Sequence, residues 1–222
     1  MTVRTTSAAV PELPRLTVTP DTGFGVYIHV PFCATRCGYC DFNTYTPTEL
    51  GAATHDGWLR ALQTELTLAA KHIGAIGVDT VFVGGGTPSL LGAERLAAVL
   101  NRVRDNFALS DEAEITTEAN PESTSPEFFA GIRAAGYTRV SLGMQSASPR
   151  VLATLERTHS PGRAIAAARE AHAAGLPQVN IDLIYGTPGE SDGELLDSVD
   201  AALAAGVDHV SAYALLIEDG TA

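Results

Sequence analysis

The chain has 222 residues, of which 45% are apolar, and its 14 Lys and Arg against 26 Asp and Glu give a formal net charge of −12. That length and apolar content suit a folded domain with a core, whereas the negative charge without any basic run argues against nucleic acid as a partner. The sequence contains neither an uncharged apolar stretch of about 20 residues nor the apolar segment of a signal peptide, so we expect a cytoplasmic protein without a membrane span.

After an N-terminal tail, strand-like and helix-like segments alternate along the chain. Residues 1–23 contain prolines among polar residues, which indicates a flexible tail, and residues 24–222 form the predicted core domain. Six short runs rich in Val and Ile end at Gly, Pro or Asn, as strands do, and the stretches between them have helical spacing. The predicted strands are 26–28, 81–83, a segment around Ile115, 140–142, 179–184 and 210–217. The predicted helices are 58–72, 93–107, one opened by Ser125-Pro126, one from Ser160-Pro161 to Gly175, and 191–205.

This alternation predicts an α/β fold with a parallel sheet and helices outside it. Six units predict a partial (β/α)6 barrel related to the eight-unit form, and a doubly wound open sheet is the alternative. The later strands carry polar side chains at alternate positions, although strands covered on both faces are usually apolar on both. Because polar groups inside a barrel need partners, we predict that a ligand fills it. The polar face comprises Thr116, Glu118, Asn120, Ser141, Gly143, Gln145, Asn180, Asp182, Ser211 and Tyr213.

All three cysteines lie in the loop after the first predicted strand. Cys33, Cys37 and Cys40 form a C-x3-C-x2-C triplet, and a clustered odd number in a reducing compartment indicates metal or redox chemistry. A structural zinc site is the alternative, but zinc usually takes four ligands from two pairs, and the chain has no second pair. Three thiolates suit a [4Fe–4S] cluster that keeps one iron open for a further ligand.

Residues 27–40, with the sequence YIHVPFCATRCGYC, resemble the signature of radical S-adenosylmethionine (radical SAM) proteins. More closely, they resemble the branch that contains oxygen-independent coproporphyrinogen III dehydrogenase and the haem chaperone related to it. The resemblance runs from about residue 24 to the end of the chain, and the sequence CDFNTY at residues 40–45 is similar to that of the chaperone type. The coproporphyrinogen enzyme has a fourth cysteine two places after the third, where this chain has Phe42. The family also continues into a C-terminal domain, which we expect to be absent here.

The resemblance implies a cofactor role for each motif. Cys33, Cys37 and Cys40 would hold the cluster, whose open iron would chelate the amino and carboxylate groups of SAM. The reduced cluster would then split the sulfonium bond and release a 5′-deoxyadenosyl radical. Tyr39 would lie beside a cofactor and Tyr27 would contact the SAM at the cluster, and a half-buried aromatic is the alternative for either tyrosine.

A glycine run and one carboxylate complete the site expected around the first SAM. Residues 84–88 read GGGTP, and glycines let the backbone approach a ligand closely and leave N–H and C=O groups free to bind it. A plain tight turn is the alternative, but the resemblance implies a loop for the SAM amino group, with Gly85 as its main contact beside Gly86 and Thr87. Glu118 would accept from the ribose hydroxyls, unless it forms an internal salt bridge.

Three polar residues of the fourth and fifth units match positions that help to hold a second SAM in the coproporphyrinogen enzyme. They are Gln145, Arg157 and Asp182. Arg157 could pair with a SAM carboxylate, and a surface arginine is its alternative.

The resemblance favours a haem chaperone that binds haem or porphyrin as cargo and delivers it to haem-acceptor proteins. It also implies a low-potential electron donor. Histidine is a common axial ligand of haem, yet none of the histidines nearest these motifs, His29, His159 and His209, is assigned that role. The alternatives are a coproporphyrinogen dehydrogenase, which would be an oxidoreductase, and a zinc-stabilised domain without radical chemistry.

Overall fold

The computed structural model describes residues 22–51 and 53–217, where six β-strands alternate with six α-helices. The strands are β1 (Gly25–Val30), β2 (Gly77–Gly85), β3 (Ala108–Ala119), β4 (Arg139–Gln145), β5 (Gln178–Tyr185) and β6 (His209–Ala214). The helices are α1 (His55–Ile73), α2 (Gly92–Asn106), α3 (Pro126–Ala135), α4 (Pro149–Thr154), α5 (Arg163–Ala173) and α6 (Asp192–Ala204). Short 3-10 turns follow β2 at Pro88–Leu91 and β3 at Pro121–Ser123. The tail predicted at residues 1–23 lies outside the described residues except for its last two.

The six strands form one parallel sheet in the order β1-β2-β3-β4-β5-β6. Side chains from the loop after β1 and from β6 line the same cavity, so the sheet curves and its concave face encloses that cavity. The predicted partial (β/α)6 barrel is therefore confirmed. The doubly wound alternative is wrong, because such a sheet reverses its strand order at a switch point and this one does not.

Local signals in the sequence account for most helix ends. At α6, the side chain of Ser191 accepts from the N–H of Glu194 while the carboxylate of Glu194 accepts from the N–H of Ser191, which makes a capping box. α1 begins three residues earlier than predicted, since Thr54 Oγ1 accepts from Gly57 N at 3.0 Å and fixes the first turn. The short α4 was not predicted, although Ser148 and the following proline are the same cap-and-proline signal that opens α3.

The convex face of the sheet packs on the helices and forms the apolar core. Val83 of β2, Leu142 of β4 and Ile181 of β5 are fully buried. Val99 and Leu100 of α2 belong to the same core cluster and are equally buried. The polar alternation predicted for the later strands is confirmed in β3, β4 and β5, whose polar positions line the cavity on the concave side. Across the described ranges, no helix is both long and apolar enough to cross a membrane.

Candidate functional site

A cavity of about 700 Å³ opens at the carboxyl ends of the strands. Parallel strands present all their carboxyl ends at one edge of the sheet, so every strand-to-helix loop can contribute to a single site. Eleven of the twelve residues predicted for the site line this cavity: Cys33, Cys37, Tyr39, Cys40, Gly85, Gly86, Thr87, Glu118, Gln145, Arg157 and Asp182. They come from the loop after β1, the ends of β2 to β5, and the segment after α4.

The cysteine loop is folded back onto β1 by backbone hydrogen bonds. Cys33 N donates to Tyr45 O at 3.0 Å, and Tyr45 N donates to Pro31 O at 2.7 Å. The Arg36 guanidinium donates to Thr44 O at 2.6 Å and holds the far side of the loop. These bonds fix both ends of the loop, so its three cysteines face the cavity.

All three cysteines are half-buried free thiols. Thr87 Oγ1 donates to Cys33 Sγ at 3.8 Å, and Arg157 Nη1 donates to Cys37 Sγ at 3.5 Å. Burial raises the pKa of the Cys33 thiol, and the hydrogen bond from Thr87 opposes that rise. Soft thiolates with hydrogen-bond donors to sulfur are the chemistry that iron–sulfur clusters use, so this donor set fits a cluster. Within the described residues, no three His, Cys, Asp or Glu side chains converge where a single metal ion could sit.

The glycine run after β2 passes close to the cysteine loop. A Cβ on Gly86 would lie 2.6 Å from Phe32 O and 3.0 Å from Cys33 Sγ, so only glycine fits there without a shift. The N–H groups of Gly86 and Thr87 donate to Val30 O and Phe32 O at 2.8 and 2.7 Å. The expectation that these N–H groups are free for a ligand is therefore wrong, because they join the run to β1. An amino group needs acceptors, so the carbonyls of the run are the groups it would use.

Among the carboxylates that line the cavity, Glu118 and Asp182 come from strands of the sheet, β3 and β5. Glu118 Oε2 accepts from Gly85 N at 2.9 Å, and among the described residues Glu118 forms no ion pair. Burial raises the pKa of Glu118 to about 7, the Gly85 N–H opposes the rise, and the charge of Asp182 adds to it. Burial also raises the pKa of Asp182, while hydrogen bonds from Ser141 and Asn180 lower it. The alternative of an internal salt bridge for Glu118 is therefore wrong within the described residues.

Arg157 joins several groups of the site by hydrogen bonds. Besides Cys37 Sγ, its guanidinium donates to Tyr39 Oη at 3.0 Å, to Gly143 O at 3.2 Å and to His159 Nε2 at 2.9 Å. It is half-buried, so the surface-arginine alternative is wrong. To accept from Arg157, the His159 ring must be neutral at Nε2, and burial with the adjacent Arg157 charge lowers the pKa of His159 to about 4. Burial raises the pKa of Tyr39 well above its usual range, and the Arg157 charge opposes that rise.

Gln145 lies at the point where β4 leaves its regular register with β5. Its φ of 68° is a conformation that few residues other than glycine adopt, and Glu156, which also lines the cavity, has a φ of 51°. Backbone strain of this kind persists only where the surrounding structure enforces it, and it clusters at functional sites.

Tyr27 is the predicted residue that the structure does not bring to the cavity. It is 58% exposed on β1, stacks on Phe82 and contacts His29 Nδ1 through its hydroxyl at 2.9 Å. The structure adds three side chains that the sequence did not assign to the site: Ser141, Asn180 and His159. Ser141 and Asn180 stood on the predicted polar face, which was the available signal, whereas nothing in the sequence pointed from His159 to Arg157.

Residues 27–202 match the family model of the Radical SAM superfamily, and the chain belongs to that superfamily. The chain is 70% identical over 211 residues to the heme chaperone HemW of Mycobacterium tuberculosis, which covers 95% of this chain and 54% of that relative. It is 38% identical over 196 residues to HemW of Escherichia coli, at 88% and 51% coverage. The chain therefore spans about half the length of the curated relatives it matches.

The fold has a solved counterpart in the coproporphyrinogen III oxidase HemN of Escherichia coli, described as a radical SAM enzyme. The two superpose with a TM-score of 0.80 at 25% sequence identity, over 91% of this chain and 49% of that one.

Proposed function

We propose that the protein is a radical SAM protein of the haem chaperone type, which binds haem and passes it to haem-dependent proteins. The observation that carries the proposal is that three thiols and a set of buried or half-buried polar side chains from β3, β4 and β5 face one cavity. The 70% identity to the M. tuberculosis haem chaperone supports the haem role over about half of that relative.

In this proposal Cys33, Cys37 and Cys40 hold a [4Fe–4S] cluster and leave one iron open. When bound and reduced, such a cluster supplies an electron to SAM. The protein's own part is to orient SAM: carbonyls of the glycine run accept from its amino group, and Glu118 accepts from ribose hydroxyls. Arg157 fixes Cys37 and Tyr39 in place by donating a hydrogen bond to each.

Gln145, Arg157 and Asp182 are proposed to contact SAM from the β4–β5 side of the cavity. A contact between Tyr27 and SAM also remains a proposal, but the geometry supports it less, because the Tyr27 ring lies outside the cavity. We propose residues 24–222 as one core domain and a cytoplasmic location, which the three free thiols support. Further proposed partners are haem-acceptor proteins and a low-potential electron donor.

Metal analysis after anaerobic reconstitution is the first test. We expect about four irons per chain, with the broad visible absorption of an iron–sulfur cluster. Zinc at one per chain without iron would support the alternative of a zinc-stabilised domain instead.

Haem titration into the full-length, reconstituted protein tests the cargo. We expect a saturable change in the haem absorption spectrum and transfer of haem to an apo haem protein. A protein that carries its cluster but retains no haem would contradict the chaperone function while leaving the family assignment intact.

The coproporphyrinogen dehydrogenase alternative has less support. Phe42 stands where that enzyme has its fourth cysteine, and identity to the solved enzyme of that name is 25% against 70% to the haem chaperone. Incubation with coproporphyrinogen III, SAM and a reductant separates the two functions, since only the dehydrogenase would form vinyl groups from propionates.

A further inference from the structure

The Asp182 carboxylate accepts hydrogen bonds from two side chains that no cofactor motif includes. Ser141 on β4 lies opposite Asn180 on β5 in the sheet register, and Asp182 follows two positions later on the same face. Ser141 Oγ lies 3.0 Å from Asp182 Oδ1 and 2.9 Å from Oδ2, and Asn180 Nδ2 donates to Oδ1 at 2.7 Å. Both donors are buried, and Ser141 lines the cavity beside Asp182, whereas Asn180 lies behind them.

The chemistry of the neighbouring groups fixes the directions of the hydrogen bonds between Ser141, Asn180 and Asp182. Asn180 Nδ2 also donates to Ser141 Oγ, so the single hydroxyl proton of Ser141 points to the carboxylate of Asp182. Asn180 Oδ1 accepts from Ser211 Oγ at 3.2 Å and contacts His209 Nδ1. Rotating the amide by 180° would place Oδ1 of Asn180 against the carboxylate of Asp182, so Nδ2 is the atom that faces Asp182.

The arrangement leaves acceptor capacity where a ligand would need it. The Asp182 carboxylate accepts from Ser141, Asn180 and Ser211. An ionised carboxylate has about four acceptor sites, so three donors leave acceptor capacity beside the cavity.

We propose that Ser141 and Asn180 are positioning residues, which hold the Asp182 carboxylate in the orientation in which it can accept a hydrogen bond from SAM. This inference rests on the proposed function, because it requires SAM to bind in the cavity. Neither residue touches SAM in the proposal, and both act through Asp182.

The charged and titratable groups that face Asp182 come from four elements. They are Glu118 of β3, Arg139 of β4, Arg157 after α4, and His209 and Tyr213 of β6. All of them remain in the variants below, so a difference between variants isolates the lost donor rather than the surrounding charges.

A double-mutant cycle on the reconstituted, full-length protein tests the inference, with SAM affinity measured by calorimetry. Ser141→Ala and, independently, Asn180→Ala are each expected to weaken SAM binding about tenfold, since each removes a hydrogen bond to a charged group. Adding Ser141→Ala to an Asp182→Asn background is expected to change the affinity by less than about twofold. Independent effects that multiply in the double variant would overturn the proposal.

Ser198→Ala is the matched control, because Ser198 is as buried as Ser141 and donates or accepts only within the β4–α6 region, away from the cavity. It removes a buried hydroxyl of the same kind and is expected to leave SAM affinity unchanged. Weakening by this variant to the same extent as by Ser141→Ala would mean that general loss of stability explains both.

The pH profile gives a readout that a merely structural role would not move. Loss of the Ser141 hydroxyl raises the pKa of Asp182, so the pH below which SAM affinity falls is expected to shift upward in Ser141→Ala and not in Ser198→Ala. An unshifted profile would overturn the proposal. If the unaltered protein carries its cluster but binds no SAM at any pH, the proposed function itself fails instead.

Discussion

At the scale of single residues, the site depends on three cysteines that have no substitute in the chain. Each half-buried thiol lines the same cavity, and the sequence holds no fourth cysteine. What the sequence predicted here, the donor set, follows from composition and spacing alone. What it could not predict is the contact of Arg157 with Cys37, since 120 positions separate them and only the closed fold joins them.

Removal of one cysteine tests the donor set. We expect Cys37→Ala to lose the cluster, because two thiolates cannot hold it, so iron should fall from about four per chain to near zero. Thr35→Ala, an exposed position of the same loop, serves as the control and should keep its iron. Full iron content in Cys37→Ala would show that the ligand assignment is wrong.

Arg157 offers a second test at this scale. A positive group that donates to a cluster thiolate stabilises the reduced, more negative state, so we expect Arg157→Gln to lower the reduction potential of the cluster. Potentiometric titration followed by electron paramagnetic resonance measures this. Arg150→Gln is the control, because Arg150 pairs with Glu194 outside the cavity. Equal potentials in all three proteins would contradict a role for Arg157 at the cluster.

The raised pKa of Glu118 predicts that the free energy of unfolding of the cofactor-free protein depends on pH. Its pKa is raised to about 7 in the folded state, so the folded protein binds the proton more tightly than the unfolded chain does. The free energy of unfolding should therefore fall as pH rises from about 4.5 to 7, by roughly 3 kcal/mol relative to Glu118→Gln. Denaturant unfolding under reducing conditions at several pH values measures the difference. Glu65→Gln, at an exposed position of α1, is the control and should follow the pH trend of the unaltered protein. An identical pH trend in the unaltered protein and in Glu118→Gln would contradict the prediction.

At the scale of elements, apolar periodicity and caps predicted where helices occur more accurately than the residues at which they begin and end. α2 was predicted within one residue at each end because its apolar stripe is regular, and the stripe packs on the sheet. The predicted α5 began at Pro161, but the backbone turns at Gly162, with a φ of 75°, before the helix starts at Arg163. Such turns depend on where the preceding segment must lie, which single-sequence patterns do not encode.

The packing of α2 yields a stability prediction. Leu100 is fully buried, so Leu100→Ala should reduce the free energy of unfolding by about 2–5 kcal/mol through lost burial and a cavity. Leu68→Ala on α1 removes the same atoms from a side chain that is 61% exposed, and should cost well under 1 kcal/mol. Chemical unfolding of the two variants side by side measures the contrast, and equal losses would contradict the assignment of α2 to the core.

At the scale of the whole molecule, the sequence predicted the partial barrel and its polar interior because both follow from simple periodicities. The alternation of strand and helix implied the parallel sheet, and the alternate polar positions implied a concave polar face. The breaks in pairing at Val78/Thr80 and Gly143/Gln145 could not be predicted, since a register shift depends on both strands at once. The placement of Tyr27 outside the cavity has the same origin: a motif fixes neighbours in sequence, and the curvature of the sheet fixes what they face.

The strand order of the sheet has a consequence for how the protein forms. Each strand pairs in parallel with its neighbour in the chain, so the sheet can grow one strand–helix–strand unit at a time. The cavity, in contrast, takes side chains from the loop after β1 and from β6, the two ends of that growth. The cavity described here thus forms only once β6 has joined the sheet. A ligand that binds there would stabilise the folded state by mass action.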